Sequence, residues 1–127
     1  MNILSARTIP KIVIVYPDAA MRKHIVKSFS YQKFEVVECE SSKLLLKNLD
    51  MKDFDCLILN LESTHLATEK LIGEIRRQNS QLRIVTIGNK KNIAQAVMSI
   101  QAGADDYLGK PVSSGEIKIA VNQLLGG

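Results

Sequence analysis

Five short runs rich in β-branched residues recur along the chain, separated by stretches with helical spacing. The runs occupy residues 11–15, 34–39, 54–59, 82–87 and 106–109. After each run apolar residues recur at intervals of three and four, as at Leu71, Ile72 and Ile75. Strands that alternate with crossovers long enough to be helices pair in parallel and are covered on both faces. The pattern therefore predicts an α/β fold, a doubly wound parallel sheet of five strands with five helices.

The length and composition are those of a single domain, because 127 residues with 46% hydrophobic content can bury one core. We assign residues 1–10 to an N-terminal extension, residues 11–125 to the domain and residues 126–127 to the start of a linker. No stretch approaches the roughly 20 apolar residues that span a bilayer, so we predict a cytoplasmic protein without a membrane contact. Cys39 and Cys56 lack metal-ligand spacing, and we interpret both as buried, reduced thiols.

The formal charge of +4 leans basic but is well below that of a dedicated nucleic-acid binder. Two basic pairs, Arg76-Arg77 and Lys90-Lys91, lack interleaved aromatic residues. We interpret both pairs as solvated helix ends rather than as a nucleic-acid contact.

In an open parallel sheet a site is expected at the carboxyl ends of the strands, near the point where the strand order reverses. The residues that follow the first, third and fifth strands there are Tyr16-Pro17-Asp18, Asn60-Leu61-Glu62 and Lys110-Pro111. No Gly-rich loop follows any strand, which argues against a nucleotide-binding version of this architecture.

The segment Gln101-Ala-Gly-Ala-Asp-Asp-Tyr-Leu-Gly-Lys-Pro111 resembles the stretch of response-regulator receiver domains that runs from the fourth helix to a lysine-proline pair. Its spacing from Val13-Ile-Val-Tyr-Pro-Asp-Ala-Ala-Met-Arg22 and from Leu57-Ile-Leu-Asn60 strengthens the resemblance, which extends over about residues 11–125, nearly the whole chain. The resemblance implies the flavodoxin-like receiver fold.

Receiver domains carry two acids after the first strand, an aspartate at the end of the third and the lysine. The resemblance implies that the acids hold Mg²⁺, that the aspartate accepts a phosphoryl group and that the lysine neutralises it. In this chain the acidic pair falls on Tyr16 and Pro17, the acceptor on Asn60 and the lysine on Lys110. Only the lysine is retained.

These replacements remove the chemistry of the site. Mg²⁺ prefers carboxylate oxygens, which neither Tyr16 nor Pro17 supplies. The neutral amide of Asn60 is a poor nucleophile and cannot form a carboxyl-phosphate anhydride. We therefore predict no phosphorylation at this position and assign no metal ligand, cofactor or catalytic residue.

Two further family positions link the site to the rest of the domain. The hydroxyl residue at the end of the fourth strand falls on Gly88 when counted back from Lys110, whereas Thr86 would need a shift of two residues. The switch aromatic falls on Tyr107. Without a phosphoryl group the coupling between these positions has no signal to transmit, so we expect Tyr107 to be held in one rotamer.

Two nearby acids are open to alternative interpretations. Asp18 is either a displaced metal ligand or the N-cap of the first helix, and we favour the cap. Glu62 is either a member of a metal site rebuilt with Asp18, or a solvated acid or counter-ion for Lys110, which we favour. Lys110 needs such a partner, and we expect Asp18, Glu62 or the Asn60 side-chain oxygen beside it.

These observations predict a pseudo-receiver, a signalling module of a bacterial response regulator that acts without phosphorylation. The resemblance places its contact surface, for a protein partner or a second copy, between Lys91 and Leu125. The alternative is the N-terminal regulatory domain of a DNA-binding transcriptional regulator whose output domain follows residue 127. Enzymatic activity is not expected, since no Ser, Cys or Thr with a suitable His partner ends a strand.

Overall fold

The computed structural model of the chain describes residues 9–30 and 33–126. Most of the predicted N-terminal extension and Gly127 therefore lie outside the described residues. Among the described residues, none of the helices has the length and apolar character needed to cross a membrane.

Strands and helices alternate from the first strand to the last helix. The strands are β1 (Lys11–Val15), β2 (Glu35–Cys39), β3 (Cys56–Asn60), β4 (Arg83–Asn89) and β5 (Asp106–Lys110). The helices are α1 (Ala19–Ser28), α2 (Ser42–Asn48), α3 (Thr68–Gln78), α4 (Ile93–Ala102) and α5 (Ser114–Leu124), with single 3-10 turns at Met51–Asp53 and Leu61–Ser63. The predicted fold of five strands and five helices is confirmed.

All strand pairs are parallel, and the order across the sheet is β2-β1-β3-β4-β5. From β1 the chain first continues to β2 on one side and later returns to β3 on the other. The strand order therefore reverses between β1 and β3. The carboxyl ends of these strands, with that of β5, border the crevice in which a site is expected.

The central strands β1 and β3 are buried on both faces, which explains their continuous apolar runs. On one face Val13, Leu57 and Leu59 pack with Leu71, Ile72 and Ile75 of α3. On the other face Ile12, Ile14 and Ile58 pack with Ile25 of α1 and with Ile117 and Val121 of α5. Each fully buried aliphatic side chain contributes about 1.5–3 kcal/mol to stability, so this double core holds the strand ends in place.

Local signals fix several element ends. The Ser113 hydroxyl accepts from the Glu116 amide and the Glu116 carboxylate from the Ser113 amide, which is the capping box that the sequence predicts. Gly103 ends α4 with a φ of 125°, a conformation that favours glycine. β4 continues two residues beyond its predicted end, because Gly88 and Asn89 pair with Gly109 and Lys110 of β5.

Arg76 corrects the expectation of a solvated helix end. Its guanidinium group donates to the Gly103 carbonyl at 2.7 Å and 3.0 Å, to the Asp105 carboxylate at 3.0 Å and to the Leu82 carbonyl. Arg76 thus joins α3 to the end of α4 and the start of β5.

The two cysteines also differ from each other. Cys56 is buried, and burial raises the pKa of its thiol to about 12. Cys39 is only half-buried, which corrects the expectation that both thiols are buried.

Candidate functional site

The carboxyl ends of β1, β3 and β5 surround an open cavity of about 490 Å³. The residues that line it are Tyr16, Glu62, Asn89, Lys110, Pro111 and Val112. The cavity coincides with the edge of the sheet that the sequence predicts. Its polar groups make contacts within the chain, and these contacts decide what the site can bind.

Asn60 is the last residue of β3 and is buried, with 1% of its surface exposed. Its side-chain Oδ1 accepts a hydrogen bond of 2.7 Å from the backbone N–H of Glu62, which caps the 3-10 turn Leu61–Ser63. The side chain at the acceptor position is therefore a structural cap. It starts the turn that carries Glu62 over the end of the sheet.

Lys110 ends β5, and its Nζ is in direct contact with Oε1 of Glu62. The same ammonium group lies 5.3 Å from the centre of the Tyr16 ring, within the range of a cation–π contact. Burial tends to lower the pKa of Lys110, but the hydrogen bond with Glu62 and the proximity of Tyr16 together outweigh it and raise the pKa. Of the three partners that the sequence suggests, Glu62 makes the contact.

The positions of the family's acidic pair carry no carboxylate. The Tyr16 side chain is buried, and Pro17 is exposed at the surface. The backbone carbonyl of Tyr16 accepts a hydrogen bond of 2.7 Å from Arg22, which also pairs with Glu38 at 2.9 Å. A guanidinium group thus occupies the neighbourhood of the first strand end.

The residues present do not fit the Mg²⁺ ion that the resemblance implies. Asp18 is the N-cap of α1, where its Oδ1 accepts from the amides of Ala20 at 2.9 Å and Met21 at 3.3 Å. Glu62 is paired with Lys110, so the two acids are engaged separately. Within the described ranges, no group of three or more His, Cys, Asp or Glu side chains is arranged to hold a metal ion.

The two candidates for the hydroxyl position lie in different environments. Thr86 is fully buried beneath α4, where its Oγ1 lies 2.7 Å from Oγ of Ser99 and donates to the Asp106 carbonyl at 3.2 Å. Gly88 lies two residues further along β4 and pairs with Gly109, the residue before Lys110. Gly88 is therefore the residue nearer the cavity, and its position carries no hydroxyl group.

Tyr107 lies across the end of β4. Its hydroxyl group donates to the Asn89 carbonyl at 2.8 Å and lies 3.4 Å from Oε1 of Gln95. Burial, and then the negative charge of Glu62, raise the pKa of Tyr107. The phenol is thus held in its neutral, donating form at the boundary between β4 and α4.

Sequence reasoning missed three residues that organise this edge, namely Arg22, Asn89 and Gln95. Each makes its hydrogen bond with a residue that is distant in sequence. Arg22 donates to Glu38, which lies 16 residues away, and Asn89 accepts from Tyr107, which lies 18 residues away. The one available signal was Asn89 itself, a polar residue directly after a β-branched run.

The segment between Lys91 and Leu125 includes an apolar surface. α4 contains no charged residue, and its exposed side chains include Ile93 at 72%, Val97 at 47% and Ile100 at 46%. Ile119 of α5 is 60% exposed. Within α4 only Ser99 is fully buried, so this helix turns most of its apolar side chains outward.

Comparison with known proteins agrees with this architecture. The response regulator MprA of Mycolicibacterium vanbaalenii is 24% identical over 115 residues, which cover 91% of this chain and 50% of that protein. The chain thus spans half the length of this curated relative.

Two solved structures share the fold. The BeF3-activated DrrB receiver domain aligns with a TM-score of 0.81 at 18% identity, over 94% of this chain and 99% of that one. The signal receiver domain of a putative Luxo repressor protein from Vibrio parahaemolyticus aligns with a TM-score of 0.82 at 18% identity, over 93% and 91%. The family model of the response regulator receiver domain matches residues 12–122, and the chain belongs to this family.

Proposed function

We propose that this receiver domain is a pseudo-receiver, which is not phosphorylated at the usual position and signals through protein contacts. The observation that carries the proposal is the contact between Lys110 and Glu62. The lysine that would neutralise a phosphoryl group already has a carboxylate partner from its own chain. An incoming phosphoryl group would have to displace that carboxylate.

The chemistry at Asn60 supports the same conclusion. Phosphoryl transfer to a receiver would need a carboxylate nucleophile there, and an amide does not supply one. The Asn60 oxygen is also used to cap the turn that carries Glu62. Neither Tyr16 nor Pro17 offers the carboxylate oxygens that anchor Mg²⁺.

A signalling domain without this chemistry acts as a binding module rather than as an enzyme. The apolar surface of α4, with Ile119 of α5, supports contact with a protein partner or with a second copy of the chain. Exposed side chains of this size are typical of interaction sites when they lie side by side. Because α4 is uncharged, such a contact should depend weakly on ionic strength.

The direct test is to incubate the purified chain with acetyl phosphate and Mg²⁺, and separately with beryllofluoride and Mg²⁺. We expect intact-mass spectrometry to show no phosphorylated species and NMR spectra to show no shift at the ends of β3 and β5. A phosphorylation-competent receiver domain treated in parallel is the positive control. A stable phosphorylated form, or large shifts with beryllofluoride, would overturn the proposal.

A second candidate is that the domain regulates a DNA-binding output domain in a longer protein. The observation that favours it is the match to only half of the curated relative. The complete open reading frame tests it. A helix-turn-helix segment after residue 127 would support the candidate, and a stop codon there would contradict it.

A further inference from the structure

Gly88 lies in β4 directly against the ends of the Tyr107 and Gln95 side chains. A Cβ atom at this position would lie 2.5 Å from the Tyr107 hydroxyl oxygen, 2.6 Å from Oε1 of Gln95 and 3.1 Å from Cζ of Tyr107. The φ angle of Gly88 is not positive, so the backbone conformation itself does not require glycine. A larger residue would instead have to displace the side chains of Tyr107 and Gln95 that lie against it.

The hydroxyl group that lies against Gly88 is part of a hydrogen-bonded turn. The Asn89 carbonyl accepts from Tyr107 at 2.8 Å and also from the backbone N–H of Asn92 at 3.0 Å. The Asn89 side chain accepts from the Lys91 amide at 2.8 Å. The Asn92 side chain then caps α4 by accepting from the Gln95 amide at 3.0 Å. The phenol is therefore connected to the first turn of α4 through Asn89.

α4 depends on such polar contacts because it buries little apolar surface. Its middle is held by the 2.7 Å contact between Ser99 and Thr86, and its end by the bonds from Arg76 to the Gly103 carbonyl. Its start is held by the turn that Tyr107 contacts. If the contact at the start is lost, apolar burial of Ile93 does not replace it, because the Ile93 side chain is 72% exposed.

From this geometry we infer that Gly88 forms a socket for Tyr107, and that the socketed tyrosine fixes the start of α4 without phosphorylation. The inference rests on the proposed function in one respect, since it explains how a pseudo-receiver presents the surface of α4 permanently. The missing side chain at position 88 then has a positive role. It admits the tyrosine that holds the helix.

The test is Gly88→Ala, which adds a single methyl group to the socket. We expect the Tyr107 ring resonances to shift and the amides of residues 90–96 to exchange with solvent about tenfold faster, whereas the amides of β1 and β3 keep their rates. The matched control is Gly73→Ala in α3, where an added Cβ meets nothing within 4 Å. Equal behaviour of the two variants, or no change in either, would overturn the inference.

Two further variants distinguish the socket from general damage to the fold. Tyr107→Phe removes the hydrogen bond to Asn89 without adding volume, and should raise exchange over the same amides even if Gly88→Ala does not fold. In a Tyr107→Ala background both contacts with the tyrosine are gone and only the end of the flexible Gln95 side chain remains close, so Gly88→Ala should lose most of its effect on the melting temperature. Unchanged exchange in Tyr107→Phe, or fully additive effects in the double variant, would contradict the socket.

These measurements separate the inference from the proposed function. A wild-type chain that becomes phosphorylated but keeps Tyr107 in its socket would overturn the proposed function alone. A chain that resists phosphorylation but has a freely rotating Tyr107 ring would overturn the inference alone.

Discussion

The ammonium group of Lys110 contacts the carboxylate of Glu62, which precedes it by 48 residues, directly over the end of β3. Asn60 begins the turn that carries Glu62, so the residue at the acceptor position helps to supply the counter-ion of the lysine. The replacement at position 60 and the pairing of Lys110 with Glu62 are therefore linked. Restoring an aspartate at position 60 leaves the pairing in place.

Asn60→Asp should not restore phosphorylation. The new carboxylate can still cap the Glu62 amide, but Lys110 remains paired and no acid is present at positions 16 and 17. We expect intact-mass spectrometry with acetyl phosphate and Mg²⁺ to show only the unmodified variant. Asn60→Ala is the control for the cap, and loss of the cap should lower the unfolding free energy by about 1 kcal/mol. A phosphorylated Asn60→Asp chain would show that our account of the metal site is wrong.

Glu62→Gln should lower the pKa of Lys110, because it removes the hydrogen-bonding carboxylate that raises it. The Glu62 side chain is 52% exposed, so the loss of unfolding free energy should stay below about 1 kcal/mol. NMR titration of the lysine side-chain resonances measures the pKa. Glu74→Gln, which removes a surface ion pair with Arg77, is the matched control and should leave Lys110 unchanged. A Lys110 pKa that is insensitive to Glu62 would contradict the pairing.

The raised pKa of Tyr107 predicts a loss of stability at alkaline pH. In the unfolded chain a tyrosine loses its proton near pH 10, whereas the folded state retains it to higher pH. The contribution of Tyr107 is therefore complete below about pH 10 and is lost as the pH rises through the folded pKa. Urea unfolding from pH 8 to pH 11.5 should show a smaller alkaline loss for Tyr107→Phe than for the wild type. Identical pH profiles would exclude this role.

Val97→Glu should abolish association through α4. Val97 is 47% exposed, so a charge there adds little strain to the fold but opposes burial against a partner. Sedimentation velocity for self-association, and capture of partners by the full-length protein, provide the measurements. Leu44→Glu on α2, where Leu44 is 37% exposed, is the control for a charge on an unrelated face. If both variants associate like the wild type, the contact surface lies elsewhere.

Arg76→Met should destabilise the domain by about 2–3 kcal/mol, because it leaves the Leu82 and Gly103 carbonyls without their charged donor. Arg77→Met on the next residue should change stability little, since the Arg77 side chain is 73% exposed and pairs only at the surface. Urea unfolding of both variants compares them directly. Similar losses for the two variants would show that the contacts of Arg76 are dispensable.

The fold was predictable from the sequence because its signals are local. β-branched runs, helical spacing and the Ser113–Glu116 capping box all act within a few residues of one another. The contacts of the candidate site are not local. Arg76 reaches Gly103 across 27 residues, and nothing near Arg76 in the sequence marks a carbonyl acceptor there.

From the sequence, the candidate partners of Lys110 could be reduced to three residues, but the actual partner could not be chosen among them. The choice depends on the path of the turn after Asn60, which decides where the Glu62 side chain lies. The direction of the Thr86 side chain likewise depends on Ser99, which approaches from the next helix. Both outcomes arise from packing between elements, and single-residue preferences do not encode them.

The contact between the Ser99 and Thr86 hydroxyl groups anchors α4 to β4 through polar atoms. Urea sensitivity and heat capacity both scale with the surface exposed on opening, and the apolar part dominates the heat capacity. Because Ser99 is the only fully buried residue of α4, the helix itself contributes little apolar surface to what detachment exposes. Detachment of α4 should therefore change heat capacity and urea dependence less than opening of the double core does.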